Sequence, residues 1–509
     1  MDALEFIGLV LFNLILFRKF YLVNPFAFAT SELVGLYFPH WVHLGQKGLK
    51  DPYYFPYAWC LPVLSCFYPL HLVGALVAKK LSLNFKFILL CLILTLHFLW
   101  ASIGSLLFFK TIGCTGAIAF TGACALSYFG YALKQNPCII YTHAWMPWVF
   151  LGAYTGSSSI MGLSLGMITL AGYWPLGIWL GVISVSLWLW VGNPITAILV
   201  AFIILYLTSL IQTATSFHYF SGSLRNLVTK ESKCLTGNMT FLSILRGLLS
   251  PNHKETNLGL FHPEQQVWIG LPFGILALWG IAYNPTLSIL LGISILLSMG
   301  RYTPLFSFTH KLHQRIPARF NYFTSLCLVF LSVGALAHVD TRYVFLLCVL
   351  ELADLALRGP SLWPMWPFCQ KTVEPEKAFN TPMLRYLEKE AEAYRVSGLR
   401  WPVSTGHLNS IMTLGYTGSS CLLAMAWWRK IKSLQGEASE SWFDTDEDGP
   451  PLDAYGVKFA YTYRKLSDPK WTFTPYRNLY LNTQVLPAPS WEVIELSYER
   501  YGQPKLNCS

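Results

Sequence analysis

Two carboxylates stand in an aromatic stretch near the amino terminus. In SELVGLYFPHWVHLGQKGLKDPYYFPYAWC, Glu32 and Asp51 are surrounded by tyrosine, tryptophan and histidine. A carboxylate at a membrane surface can take a proton from an acceptor hydroxyl. It can also help hold a divalent cation such as Mg or Mn, a hard ion that prefers oxygen ligands. The plainer alternative is that Glu32 caps a short interfacial helix and that Asp51, ahead of Pro52, opens a turn. A second group is cationic: GRYTPLFSFTHKLHQRIPARF carries Arg301, His310, Lys311, His313, Arg315 and Arg319. Guanidinium groups suit phosphate, because their planar fork makes paired hydrogen bonds to its oxygens. Anchoring of helix ends to lipid headgroups is the competing use.

Three further acids and a histidine complete the set. Glu264, in FHPEQQVWIGLPFG, stands just before an apolar stretch. Asp354 and Glu351, in LELADLAL, lie at the end of another, where an ionisable side chain is either functional or emerging into the interface. His143, in THAWMPW, is a lone histidine among aromatics, for which a hydrogen-bonded structural role competes with a substrate contact. The sequence has no GxxxxGK[ST] phosphate loop, no HExxH and no dinucleotide fingerprint. The GxSxG match at Gly162, Ser164 and Gly166 lies inside an apolar block, without the strand-to-helix turn of a nucleophile elbow. No CxxC pair exists among the 12 cysteines, and those in apolar runs, such as Cys91, Cys124, Cys327 and Cys348, read as small hydrophobes. Asn238-Met239-Thr240 fits a glycosylation sequon, a pattern common by chance.

The elements that must position these residues are membrane helices. Of 509 residues, 54% are hydrophobic and 12% charged, against about 25% charge in a soluble domain. Apolar stretches that meet or approach the length of a crossing imply about ten to thirteen transmembrane helices. The expected fold class is therefore an all-α polytopic membrane bundle over residues 1–360, with polar loops at 24–59, 214–266 and 300–318. After Pro360, proline, charge and tryptophan rise, and residues 361–509 read as a small mixed α/β domain outside the membrane. There, Thr381 to Arg395 has the spacing of an amphipathic helix, and Val457 to Tyr463 and Leu479 to Val485 favour strands. The net charge of +10 fits contacts to anionic headgroups or phosphates, and no aromatic-interleaved basic patch points to nucleic acid. Under the positive-inside rule, Lys79, Lys80, Lys86 and Arg342 mark cytoplasmic turns, which places the first loop and the tail outside. Arg18 and Lys19 oppose that scheme, and the awkward parity of the apolar stretches before Ser216 leads to the expectation that at least one of them does not cross.

Taken in order, several segments resemble the YfhO-like branch of the GT-C superfamily. SELVGLYFPHW and GLKDPYYFPYAWCLPVLSCFYP are similar to its first loop, AGYWPLG to its "GYxP" turn, and HPEQQVWIGLPFG to its acid-then-aromatic-Ile-Gly step. LLSMGRYTPLF with RIPARF resembles its most specific signature, and AYRVSG, LNSIMTLGYTGSS, YGVKFAYT and NTQVLPAP resemble landmarks of its outer tail. The resemblance implies a GT-C fold and a polyprenyl-phosphate-linked sugar donor, with a cell-envelope polymer or lipid as acceptor, at a bacterial plasma membrane. It puts Glu32 at the family's first-loop acid and Asp51 at the following turn, as catalytic carboxylates and as the metal ligands if a metal is used. It puts Arg315 and Arg319 on the two arginines of the "RxPxR" signature and Glu264 on the acid before the aromatic-Ile-Gly step, with Arg301 and His143 as further substrate contacts. A transporter or flippase of lipid-linked sugars and a non-catalytic scaffold are the alternatives.

Overall fold

A computed structural model describes residues 1–28, 33, 37–47, 65–133, 135–221, 238–251, 266–303, 317–362, 374–379, 382–391, 395–398, 457–461, 471–475 and 479–483. In chain order its helices are α1 (Ala3–Leu16), α2 (Phe38–Lys47), α3 (Pro69–Val77), α4 (Leu83–Thr111), α5 (Gly116–Tyr128), α6 (Gly130–Leu133), α7 (Pro137–Thr155), α8 (Ser158–Ala171), α9 (Trp174–Trp190) and α10 (Ile195–Ser221). They continue as α11 (Phe241–Leu249), α12 (Leu271–Gly280), α13 (Pro285–Met299), α14 (Asn321–Leu336), α15 (Thr341–Arg358), α16 (Pro375–Phe379) and α17 (Pro382–Ala391). Among the described residues, four segments, Leu83–Thr111, Ile195–Ala214, Pro285–Tyr302 and Pro317–Leu336, are long and apolar enough to cross a membrane. Five shorter apolar helices accompany them, among them Ala3–Leu16 and Leu271–Gly280. The chain is a helical membrane bundle.

The contacts divide into two units, the first comprising Met1–Thr30, Cys91–Leu210 and Val228–Thr372. In this unit α1 runs antiparallel to α4. Glu5 pairs with Lys110 at one end, and Asn13 Nδ2 donates to the Thr95 carbonyl (3.1 Å) and to Tyr128 Oη (2.9 Å) further along. Asn13, the one polar interruption in an apolar run, is thus a buried bond between helices, which is the usual use of an amide in an apolar bundle. The chain turns tightly at 112–115 and at 337–340. Asp340 caps α15 by accepting the Arg342 N–H at 2.9 Å, and Arg18 donates to the Ala356 carbonyl (2.8 Å) at the other end of α15.

The GxSxG segment is a packing seam. It lies on helix α8, where a Cβ on Gly162 would meet the Ala201 carbonyl and one on Gly166 would fall 2.6 Å from Thr208 Cβ. Glycines four residues apart let α8 and α10 approach closely, so the serine between them has none of the strand-to-helix setting of a nucleophile.

The second unit comprises Ser31–Leu90, Ile211–Leu227 and Val373–Ser509. Here α2 packs on α3, with the Trp41 indole donating to the His71 carbonyl at 2.8 Å. A Cβ on Gly45 would meet the Ala75 carbonyl, so glycine sets how near the two helices lie. Four strands follow: β1 (Arg395–Gly398), β2 (Val457–Tyr461), β3 (Trp471–Phe473) and β4 (Leu479–Asn482). They form one sheet in the order β1-β2-β4-β3, parallel between β1 and β2 and antiparallel elsewhere. Buried Phe459 of β2 meets Tyr386 of α17 edge-on.

This unit corrects the orientation expected from the lysines. Asn84, between Lys80 and Lys86, donates from Nδ2 to Glu374 (2.7 Å) and to Glu376 (3.1 Å). Its Oδ1 accepts the Glu376 N–H at 3.0 Å. The start of the tail and the lysine turn therefore lie together, and they cannot be on opposite sides of a membrane. Helix α3, with nine residues, is about 14 Å long and cannot cross roughly 30 Å of hydrocarbon. That removes one crossing from the expected parity.

Candidate functional site

Of the expected site residues, Glu32, Asp51, Glu264 and Arg315 lie outside the described residues. His143, Arg301 and Arg319 lie within them, all in the first unit.

Arg301 and Arg319 stand on two adjoining turns. Helix α13 stops at Gly300, whose φ of +54° favours glycine. The chain then makes a single 3₁₀ turn, Gly300–Tyr302, that carries Arg301. A second 3₁₀ turn, Pro317–Phe320, carries Arg319 into α14. A Cβ on Gly300 would fall on Asn238 Oδ1 and 2.7 Å from the Pro317 Cγ, so both turns and Asn238 meet at one glycine. Below them, Ser294 of α13 and Thr324 of α14 share a hydroxyl hydrogen bond of 3.0 Å.

The two guanidinium groups rest on aromatic rings. Arg319 is half-buried, 5.5 Å from the centroid of Tyr173, which immediately precedes α9 in the Gly-Tyr-Trp-Pro segment. Arg301 is exposed, lies 5.2 Å from the Tyr302 centroid and donates to the Tyr302 hydroxyl at 3.3 Å. Stacking on a ring restricts a long side chain without neutralising its charge. Two cations held on neighbouring turns at one end of the bundle can receive an oxyanion such as a phosphate.

His143 has a different setting. It is fully buried. Its Nε2 lies 3.0 Å from the Ser127 carbonyl, to which it must donate, and its Nδ1 then accepts from Tyr322 Oη at 2.9 Å. Phe129 and Tyr322 stand edge-on to the ring and Phe98 is tilted against it. Both ring nitrogens are engaged in joining α5, α7 and α14.

The acids at the end of α15 also turn inward, onto α12. Glu351 is buried; its Oε2 accepts the Phe273 N–H at 3.0 Å, and Asp354 Oδ2 accepts the Leu271 N–H at 2.8 Å. Asp354 is further tied to Arg358 at 2.8 Å. Two carboxylates from one helix thus satisfy the open N–H groups at the start of another, where the helix dipole favours negative charge. Gly270, with φ +103°, precedes them, and a Cβ there would fall on Glu351 Oε1. The spacing of Glu351 and Asp354 was visible in the sequence, but their partners lie some 80 residues upstream.

Among the described residues no three His, Cys, Asp or Glu side chains gather as a cation site. No protein-family model, curated protein or solved structure matches this chain.

Proposed function

We propose that this chain is a membrane glycosyltransferase. It moves a sugar from a polyprenyl-phosphate donor to a cell-envelope polymer or lipid on the outer face of a bacterial plasma membrane. The observation that carries the reading is the pairing of the Arg301 and Arg319 turns at one end of an apolar bundle, within segments that resemble the YfhO-like signature. In the inverting reaction, the Glu32 carboxylate, or Asp51 in its place, takes the proton of the acceptor hydroxyl. The hydroxyl oxygen bonds to the anomeric carbon as the bond from that carbon to the phosphate oxygen breaks. The electron pair leaves with the polyprenyl phosphate, where Arg301, Arg315 and Arg319 stabilise the growing charge. His143, with both ring nitrogens engaged between helices, serves packing and not substrate contact. A divalent ion, if used, would be held by Glu32 or Asp51.

The test is transfer of labelled sugar from polyprenyl-phosphate donors by the purified full-length protein. Wild type should transfer, and Glu32→Gln should lose about a hundredfold or more in rate, as removal of a general base does, while still binding donor. Asp51→Asn reports whether the second acid takes that role instead. Donor binding without turnover in all three proteins would replace the enzyme with a transporter of lipid-linked sugars or a scaffold.

A further inference from the structure

The sequon-like tripeptide Asn238-Met239-Thr240 is fully used inside the fold. Asn238 is buried, with 2% of its surface exposed, and its Oδ1 accepts the Arg301 N–H at 2.9 Å. The Met239 N–H donates to the Ser298 carbonyl of α13 at 3.3 Å. Its sulfur accepts from Asn321 Nδ2, two residues beyond Arg319. Thr240 Oγ1 accepts the Ser243 N–H and so caps α11. Asn238 thus holds the turn beyond α13, and Met239 joins the end of α13 to the start of α14. Gly300 completes the joint, since its missing side chain is the space that Asn238 Oδ1 occupies.

We propose that Asn238 and Met239 form a positioning strap that fixes the Arg301 turn against the Arg319 turn, and so sets the spacing at which the two guanidinium groups meet a phosphate. The phosphate part rests on the glycosyltransferase reading; the strap itself does not. The amide oxygen of Asn238 is what the geometry uses, so its role differs from that of a glycan acceptor, which would use the nitrogen of an exposed amide.

The experiment measures binding of farnesyl phosphate, with farnesol as the phosphate-free control, to full-length protein in nanodiscs. Wild type should prefer the phosphate. Asn238→Ala should weaken farnesyl phosphate about tenfold and leave farnesol unchanged. Asn238→Asp, which keeps the acceptor oxygen and destroys the sequon, should restore binding to near wild type. Equal binding by wild type and Asn238→Ala, with Arg301→Ala weakened, would overturn the strap while the phosphate reading stands. Loss in Asn238→Asp as severe as in Asn238→Ala would assign the role to the amide nitrogen and also overturn it. If wild type shows no phosphate preference, the functional reading fails, and the strap is decided by spin labels at positions 301 and 319 in a background lacking other reactive cysteines. A distance distribution that broadens on Asn238→Ala supports it, and an unchanged one refutes it.

Discussion

At the scale of residues, two glycines with positive φ separate backbone freedom from space. Gly192 has φ +79° and nothing within 4 Å of a Cβ, whereas Gly270 has φ +103° and a Cβ there would displace Glu351. Gly192→Ala should therefore cost the left-handed strain alone, about 1–2 kcal/mol. Gly270→Ala adds to such strain the loss of a buried hydrogen bond that a helix-start N–H donates to a carboxylate, and should cost at least about 3 kcal/mol. Denaturation midpoints in detergent compare them directly, and equal losses would mean that Glu351 is not held against Gly270. The same pair shows what one sequence can convey. Glu351 and Asp354 stand out as acids in an apolar run, but spacing along α15 cannot reveal that both point at Leu271 and Phe273. Asn238 is a sharper case: three residues fit a modification pattern, while its partner, Arg301, is 63 positions on.

Among the elements, those with strong local signals were legible. The helical spacing expected from Thr381 to Arg395 gives α17 over Pro382–Ala391, with Arg395 instead opening β1, and the two strand-like runs give β2 and β4. The lysine turn and the tail share a side, which the sequence does not show because hydropathy does not give the length of an isolated apolar stretch: Pro69 starts α3 late, and it ends at Val77. Helix α15 has a start that can be tested by pH. Asp340 accepts the Arg342 amide and also faces the Arg342 guanidinium at 2.6 Å. The Arg342 side chain first, and its amide second, hold the Asp340 carboxyl below its ordinary value of 3.8. A carboxyl so lowered stabilises the fold above its unfolded pKa, and that contribution fades as pH falls through the folded one. Wild type should therefore denature later than Asp340→Asn above about pH 4, with the gap closing below it. Midpoints measured across that range check this, and a gap that persists in acid would show that the ion pair does not act on α15.

At the scale of the molecule, the charges of the first unit divide between its two ends. Arg301 and Arg319 share an end because their turns meet at Gly300, and Arg319 leads into α14, which a tight turn joins to α15. The far end of α15 carries Arg358 beside Arg18 and Lys19. Among the described residues, that end therefore brings together Arg18, Lys19, Arg301, Arg319 and Arg358, and Arg358 pairs with Asp354. At the other end, Lys110 and Arg342 are each paired with an acid, Glu5 and Asp340. Topogenic bias would turn the cation-rich end toward the cytoplasm; transfer on the outer face needs it outside. These demands conflict, and the proposed chemistry commits to the second. Single cysteines at Tyr302 and Tyr343, both exposed, can be treated with a membrane-impermeant maleimide on intact cells. Tyr302→Cys should react and Tyr343→Cys should not. In the second unit, Ser82→Cys and Lys377→Cys should react together or not at all, because Asn84 bonds Glu374 and Glu376. Reaction at 343 with protection at 302 would place the arginines on the cytoplasmic side. Their cations would then serve orientation and headgroup anchoring, and outer-face transfer through Arg301 and Arg319 would be ruled out.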